Sequence, residues 1–153
     1  MDTDNRYFIF RIDRQQYAVA LSAVERVIRA VELIHLPKSP EFVLGLLNMH
    51  GRIMPVINIR HLFQAPERKM NADDQIVISK IASRPIAFIV DKVKGVFEFS
   101  RAQIDSAGQI LPGMEECIRG VVKFNNTSAI IYDIERLFSQ YDIMGLNNAI
   151  DGQ

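Results

Sequence analysis

The chain contains an internal repeat, and this feature restricts its possible folds more than any other. Residues 45–63 (GLLNMHGRIMPVINIRHLF) are matched 75 positions later by residues 120–138 (GVVKFNNTSAIIYDIERLF). The turn position holds Gly51 in one copy and Asn126 in the other, the two residue types that most readily accept a positive φ. A chain that repeats a unit of this kind is expected to build two similar substructures.

Each copy has the pattern of a β-hairpin followed by one helical turn. In the first copy, apolar residues lead into and out of a turn at His50, and Pro55 in the outgoing strand favours a sheet edge or a bulge. Three apolar residues then follow at the i, i+3, i+4 spacing of one buried helical face: Ile59, Leu62 and Phe63. Asn58 and Asp133 precede the helical turns of the two copies and are predicted to cap them.

A second correspondence, with an offset of 69, lies upstream of the first. It aligns four pairs: Ala18 with Ala87, Ser22 with Asp91, Val24 with Val93, and Val27 with Val96. Ser22 begins an S-x-x-E capping box that ends at Glu25, so Ser22 and Asp91 are also predicted to be caps of a short turn. The two offsets differ by six, so the second half is expected to contain extra residues between Phe97 and Arg119.

Predicted strands and turns alternate about every ten residues along the chain. Strands are predicted at residues 7–12, 16–21, 31–36, 75–81, 85–90, 95–99 and 118–124, besides those of the first repeated hairpin. The most polar connection, residues 64–74, is predicted to bridge the two halves, and residues 100–116 are predicted to form a long loop. This spacing predicts an all-β barrel architecture with short helical turns and a short C-terminal helix.

The composition excludes several classes of function. With 153 residues, 48% of them apolar, the chain can bury the interior of one ordinary globular domain. Eighteen basic residues balance eighteen acidic ones, so the whole molecule has no net attraction for nucleic acid or anionic lipid. A single cysteine cannot form a disulfide framework. The N-terminus lacks the pattern of a signal peptide and no stretch is long enough to span a membrane, so we expect a cytoplasmic protein.

Residues that often carry chemistry have a simpler structural interpretation here. Four of them lack the spacing of metal ligands or of a nucleophile pair: His35, His50, His61 and Cys117. Cys117 borders a predicted strand and is interpreted as a small packing residue. Asp91 and Asp133 could form a carboxylate pair for acid–base catalysis, but their predicted role as matching caps accounts for both. No catalytic residue, metal site or cofactor is therefore predicted.

The repeat and its motifs resemble the CheW-like domain, the coupling module of bacterial chemotaxis. The strongest match is G-x-x-N-x-x-G-x-x-x-P-V-x-x-x-x-x-x-F, formed by Gly45, Asn48, Gly51, Pro55, Val56 and Phe63. Supporting matches are Tyr17 with Ala18, Val24 with Val27, residues 90–93, and Ile134 with Leu137. The resemblance implies a single domain over residues 6–140, with flexible tails at 1–5 and 141–153. It further implies two side-by-side five-stranded SH3-like barrels that share an apolar seam, with the bridge near residues 64–74.

The resemblance also implies a function, that of a non-enzymatic adaptor which couples transmembrane chemoreceptors to a histidine kinase. One barrel end would pair with the regulatory domain of the kinase, and the groove between the barrels would receive the cytoplasmic tip of the receptor. The adaptor would thus reach receptor arrays at the inner face of the membrane through its partners, with weak or no self-association. Eight residues are assigned by position to partner binding: Val24, Arg26, Val27, Asn48, Met49, His50, Gly51 and Met54.

Two other functions stay open at this point. The first is an adaptor of similar fold in a non-chemotactic kinase pathway, such as pilus-based motility or development. The second is a nucleic-acid-binding β-barrel, for which the chain lacks a strand face of basic and aromatic residues.

Two positions depart from the family pattern. The family usually reads Asn-Leu-Arg-Gly where this chain has Asn-Met-His-Gly at residues 48–51, and it often has Glu where this chain has Arg26. An always-charged donor has become an imidazole, and an acid has become a base. These changes indicate either an altered partner surface or drift at exposed positions, since surface substitutions often cost under ~0.5 kcal/mol.

The methionines of the first hairpin have two interpretations. Met49 and Met54, with Val24 and Val27, are predicted to line an apolar groove that accepts an amphipathic helix. The alternative is that all four are buried within one barrel.

Overall fold

The computed structural model describes residues 5–106 and 116–141, most of which form strands. The strands are β1 (Arg6–Ile12), β2 (Gln15–Ala20), β3 (Val24–Arg29), β4 (Val43–Met49), β5 (Arg52–Ile57), β6 (Gln75–Ile81), β7 (Arg84–Val90), β8 (Lys92–Glu98), β9 (Ile104–Ser106), β10 (Ile118–Phe124) and β11 (Thr127–Tyr132). Two helices follow the repeated hairpins, α1 (Ile59–Phe63) and α2 (Ile134–Gln140), and two 3₁₀ turns occupy Leu21–Ala23 and Arg101–Gln103. The predicted all-β class is confirmed.

The two sheets each combine strands from both halves of the repeat. One has the order β3-β6-β7-β5-β4 and is called barrel 1; the other has the order β8-β1-β2-β11-β10-β9 and is called barrel 2. The leading hairpin of each half, β1–β2 or β6–β7, therefore belongs to the barrel formed by the rest of the other half. As a result, the polar connection at residues 64–74 joins α1 to β6 on the same barrel. Barrel 2 has six strands rather than five because β9 pairs with β10 at its edge.

In each barrel, a segment of the chain crosses over the repeated hairpin and pairs with its first strand, which closes the barrel. In barrel 1, the chain continues from β3 to Ile34, which forms an isolated bridge with Leu46 of β4. In barrel 2, β8 leads through a 3₁₀ turn into β9, which lies against β10. The predicted strand at 31–36 is thus reduced to one bridge, while β9 lies in the segment predicted to be a loop. The rest of that loop, residues 107–115, lies outside the described residues.

Gly45 and Gly120 occupy equivalent positions of the repeat, and both lie under these crossing segments. A Cβ atom on Gly45 would lie 2.7 Å from the carbonyl oxygen of Ile34, and one on Gly120 would lie 2.5 Å from that of Asp105. The strand register also shifts next to each glycine, just after Val43 in β4 and just after Ile118 in β10. Close approach of two backbones therefore excludes a side chain at both positions.

The core consists of two barrel interiors and a larger seam between the barrels. Successive strand residues alternate between these regions, as in β1, where Phe10 packs in the seam and Ile9 packs inside barrel 2. Ala18 and Ala87, aligned by the offset of 69, are both fully buried, each inside its own barrel. The seam also contains the buried apolar residues of both helices, which are Ile59, Leu62, Ile134, Leu137 and Phe138. The predicted apolar seam is therefore present.

Of the four predicted caps, only Asp133 acts as one. Its carboxylate accepts a hydrogen bond from the backbone N–H of the third residue of α2 at 3.2 Å. The prediction that the Asn58 side chain caps α1 is wrong, because its amide donates to Glu67 at 2.7 Å instead. Ser22 lies within the 3₁₀ turn, which has no side-chain cap, and the next residues extend into β3 because that strand pairs with β6. Asp91 binds arginines, as described below.

Candidate partner-binding surface and ion-pair network

The β4–β5 hairpin presents His50 to solvent on a tight turn. His50 and Gly51 have φ values of 54° and 89°, and the equivalent Asn125 and Asn126 have 47° and 63°. The predicted positive φ at the repeated turn position is therefore confirmed. The side-chain oxygen of Asn48 accepts a hydrogen bond from the backbone N–H of Gly51 at 2.9 Å. Asn48 and Gly51 thus set the shape of the turn, and the imidazole extends from it.

The structure brings β3 and this hairpin into one surface. Arg52, the first residue of β5, donates from Nη1 to Oε1 of Glu25 in β3 at 3.2 Å. Both strands carry residues assigned to partner binding, so the two groups of assigned residues, separate in sequence, lie side by side. We call residues 24–27 and 48–53 the β3–hairpin surface.

The residues assigned to partner binding differ in exposure. Arg26 and His50 are exposed, while Val24, Val27 and Met49 are half-buried. Met54 is fully buried inside barrel 1, so it supports the hairpin from within. The four residues of the predicted groove are therefore not all buried within one barrel, because the two valines pack on the seam side.

Ile53 is an exposed apolar residue of this surface that sequence reasoning missed. It lies opposite Asn48 across the hairpin, and 42% of its surface is exposed. Because successive strand residues point to opposite faces, Ile53 points away from the interior of barrel 1, into which Met54 and Val56 point. The signal was present in the sequence, but the apolar run RIMPVI hides the alternation.

A groove of about 500 Å³ lies between the two barrels. Residues of both barrels and of α2 line it, among them Tyr7, Ala23, Lys80, Arg119, Tyr132 and Glu135. Arg119 and Asp133 form an ion pair in its wall. Burial, together with the neighbouring Tyr17, raises the pKa of Tyr132 to about 12, so its hydroxyl stays neutral at physiological pH. The groove therefore combines apolar surface with charged groups of both signs.

Arg60 is the buried centre of an ion-pair network that sequence reasoning did not predict. Its guanidinium group forms two bonds with Asp13, in the β1–β2 turn, at 2.9 and 3.0 Å. It also donates to both oxygens of Asp91 at 2.8 and 2.9 Å and to the carbonyl of Pro66 at 2.8 Å. Only 8% of the Arg60 side chain is exposed. Since Asp13 belongs to barrel 2 and Arg60 to α1 on barrel 1, the arginine joins the two barrels.

Arg68 extends the network along the polar connection between α1 and β6. It donates to Asp91 at 2.7 Å and forms two bonds with Asp74 at 2.7 and 3.0 Å. Asp74 is buried and also accepts from the backbone N–H of Asn71 at 2.9 Å. The charged residues of segment 64–74 therefore fix this segment to the body of the protein.

The network lowers the pKa of Asp91. Burial alone would raise the pKa, but the hydrogen bond from the backbone N–H of Asp13 and the bonds and charges of Arg60 and Arg68 outweigh it. Conversely, the carboxylates raise the pKa of Arg60 against the opposing effect of burial. The ionised states of Asp91 and Arg60 therefore stabilise each other.

Acidification is expected to weaken the fold through Asp91. Its folded-state pKa lies below the ordinary value of 3.8, so the stabilisation is fully present above that value and is lost as pH falls through the folded-state pKa. Urea unfolding of the wild type and Asp91→Asn over a range from neutral to acidic pH measures this dependence. The variant is expected to be less stable at neutral pH and to lose less stability in acid. The same decline in both proteins would contradict the prediction.

The residues considered for metal binding or catalysis do not come together. No group of three His, Cys, Asp or Glu side chains within residues 5–106 and 116–141 is arranged to hold a metal ion. His61 lies 3.8 Å from Glu67 through Nδ1, and Cys117 is half-buried. Burial, with the nearby Glu116, raises the pKa of the Cys117 thiol, which disfavours the nucleophilic thiolate.

Two packed barrels, an inter-barrel groove and an exposed hairpin surface define the class of this protein as a two-barrel scaffold module. The model of the CheW-like domain matches residues 6–142. The chain therefore belongs to the CheW-like domain family, whose members are non-enzymatic scaffold or adaptor proteins of chemotaxis.

Individual relatives agree with this assignment. The chain is 26% identical over 144 residues to the chemotaxis protein CheW of Treponema pallidum, covering 91% of this chain and 85% of the relative. It is 29% identical over 136 residues to that of Thermotoga maritima, covering 88% and 87%. The crystal structure of the scaffolding protein TtCheW from Thermoanaerobacter tengcongensis superposes with a TM-score of 0.77 at 25% identity, covering 89% and 93%.

None of the helices in the described ranges has the length and apolar character needed to cross a membrane.

Proposed function

We propose that this protein couples transmembrane chemoreceptors to a histidine kinase by binding both. The observation that carries the proposal is the match to the CheW-like domain over residues 6–142, on a fold that offers two separate recognition surfaces. One is the β3–hairpin surface on barrel 1, and the other is the groove between the barrels. A scaffold that holds two partners at once needs two such surfaces.

The shapes of the two surfaces suit different partners. A groove of about 500 Å³ with apolar lining and charged walls fits the side of an amphipathic helix, such as the cytoplasmic tip of a receptor. The end of a barrel with half-buried valines and an exposed Ile53 suits a globular domain, and the regulatory domain of the kinase is the partner we assign there. The protein would thus be held at receptor arrays on the inner face of the membrane.

Arg26 and His50 are the residues by which this protein would select among partners. Both are exposed on the β3–hairpin surface, and neither forms an ion pair in the described part of the chain. A partner that approaches this surface would therefore meet an unpaired guanidinium group beside half-buried valines.

Isothermal titration against the regulatory domain of the same organism's chemotaxis kinase is expected to show saturable binding with a Kd on the order of micromolar, which is typical of transient signalling complexes. The double variant Arg26→Glu with His50→Arg is expected to change the affinity for the kinase domain or for the receptor tip by about tenfold, since it reverses one interfacial charge and adds another. Asn125→Arg is the matched control, because Asn125 occupies the same turn position in the second copy.

Three outcomes would count against parts of the proposal. If the folded protein does not bind the kinase domain, the adaptor would be assigned to a different kinase pathway, such as pilus-based motility. Neighbouring genes would identify that pathway. Equal binding by wild type and double variant would mean that Arg26 and His50 have drifted without effect. Binding to heparin or to an oligonucleotide at low salt, instead of to the kinase, would favour the nucleic-acid alternative.

A further inference from the structure

One end of barrel 2 combines buried polar atoms without partners and a group of unpaired basic residues. Strand pairing places Lys92, Arg11, Gln16, Ala129 and Val122 in one row across β8, β1, β2, β11 and β10. Residues directly opposite each other in a sheet share a face. Because Ala129 and Val122 pack inside barrel 2, Arg11 and Gln16 lie on its interior face, next to the hairpin turns.

Two polar atoms of this row are buried without a hydrogen-bond partner. They are Nε of Arg11, a donor, and Oε1 of Gln16, an acceptor. Gln16 is only 8% exposed. A buried polar atom that lacks a partner costs free energy, so native proteins rarely keep two of them side by side. A ligand that supplies one acceptor and one donor would satisfy both.

The rim of the same barrel end is basic. Lys94 is exposed at an irregularity of β8. Lys123 is also exposed near this end, on the outer face of β10, because its neighbours Val122 and Phe124 pack inside the barrel. In the described ranges none of Arg11, Lys92, Lys94 and Lys123 forms an ion pair. The acids close to Arg11 and Lys92 along the chain, Asp13 and Asp91, are already bound by Arg60. We call Arg11, Gln16, Lys92 and Lys94 the basic mouth of barrel 2.

The internal repeat shows that the fold does not require this charge. At the offsets of the repeat, Lys92, Lys94 and Lys123 correspond to Ala23, Glu25 and Asn48 in barrel 1. Of the basic residues, Arg11 alone corresponds to another cation, Lys80. The same barrel end can therefore be built without a cationic rim, so the basic mouth needs an explanation other than folding.

We propose that the basic mouth of barrel 2 binds an acidic segment of a partner protein. One carboxylate of the segment accepts from Arg11 Nε, and a backbone N–H of the segment donates to Gln16 Oε1. Further carboxylates lie against Lys92 and Lys94, where exposed charges attract an acidic segment in a salt-dependent manner. An extended peptide offers backbone N–H donors at short, regular distances from its carboxylates, whereas a phosphate group itself has acceptors but no donor, so these observations favour a peptide over nucleic acid or membrane. The site is on the other barrel from the β3–hairpin surface and does not depend on receptor–kinase coupling.

Fluorescence anisotropy with a labelled peptide of alternating Glu and Gly residues tests the proposal on the full chain. The wild type is expected to bind at low ionic strength and to lose affinity at physiological ionic strength. The double variant Lys92→Glu with Lys94→Glu is expected to lose about tenfold or more in affinity. Its matched control is Arg29→Glu with Lys38→Glu, which makes the same change of net charge at exposed positions of barrel 1 and is expected to bind as the wild type does.

A second variant separates recognition from simple charge attraction. Gln16→Leu keeps the net charge and removes the unpaired acceptor, so the fold is expected to be at least as stable while peptide affinity falls about fivefold. The proposal is overturned if the wild type does not bind the peptide, or if the matched control loses as much affinity as the lysine variant. Unchanged binding by Gln16→Leu, or preference for phosphatidylserine vesicles over the peptide, would also overturn it.

Discussion

Replacing Arg60 with methionine is expected to lower the free energy of unfolding by about 2–3 kcal/mol, because the partly buried Asp91 and the 45% exposed Asp13 both lose their buried cation. The guanidinium group makes four bonds to Asp13 and Asp91, and 8% of its side chain is exposed. Its loss would leave the Asp13 side chain without this cation, and Asp91 would keep only Arg68 and the backbone N–H of Asp13 as partners. Urea unfolding at neutral pH measures the change.

The control for Arg60→Met is Arg29→Met, since Arg29 is an exposed arginine on β3. A surface substitution of this kind is expected to stay within about 0.5 kcal/mol of the wild type. A double-mutant cycle with Asp13→Asn isolates the bond between the barrels, because coupling energies of contacting charges are measurable in this way. A loss below about 1 kcal/mol in Arg60→Met would mean that the network behaves like an ordinary surface ion pair.

Substituting alanine for Gly45 or Gly120 is expected to destabilise the protein by about 2–3 kcal/mol at each position, the upper range for an overpacked site. The new Cβ would lie 2.7 Å from a carbonyl oxygen of the crossing chain in one case and 2.5 Å in the other. Backbone atoms cannot move aside as a side chain can, so each crossing would have to separate from its hairpin. Thermal and urea unfolding of both single variants measure the effect.

Gly51→Asn is the matched control for these two substitutions. Gly51 has φ of 89°, and a Cβ added there would meet no atom within 4 Å. The equivalent turn position in the second copy already holds Asn126 at φ 63°. Asparagine tolerates a positive φ better than most residues, so little loss is expected. If Gly45→Ala were as mild as Gly51→Asn, the crossing would not be the reason for glycine at that position.

Much of the architecture could be predicted from the repeat. The positive φ at the hairpin turns and the helical turns after the hairpins all follow from local preferences of the backbone and side chains. The caps show the limit of this reasoning. Asp133 and Asn58 occupy equivalent positions, yet only Asp133 caps its helix, because Glu67 engages the Asn58 side chain. Equivalent positions of the repeat therefore form different hydrogen bonds.

The candidate surfaces were predicted less completely than the fold. The sequence alone placed His50 and Arg26 in partner binding through family resemblance, but it did not show that an ion pair between Arg52 and Glu25 joins their two segments. It also did not show that Met54 is buried or that Ile53 is exposed. The ion pair depends on which residues meet across the barrel, which sequence separation does not encode. The alternation that separates Ile53 from Met54 is present in the sequence but hidden by a continuous apolar run.

The sequence by itself determined the repeated unit, its strand periodicity and its turns, because each depends on residues within a few positions of one another. Only the tertiary structure decided that the leading hairpins are exchanged between the halves, so that β1–β2 completes barrel 2 and β6–β7 completes barrel 1. Both arrangements would satisfy the same local pattern. The exchanged arrangement is stabilised by long-range contacts, namely the apolar seam and the bonds of Arg60 to Asp13 and Asp91. These contacts form only when the whole chain is assembled.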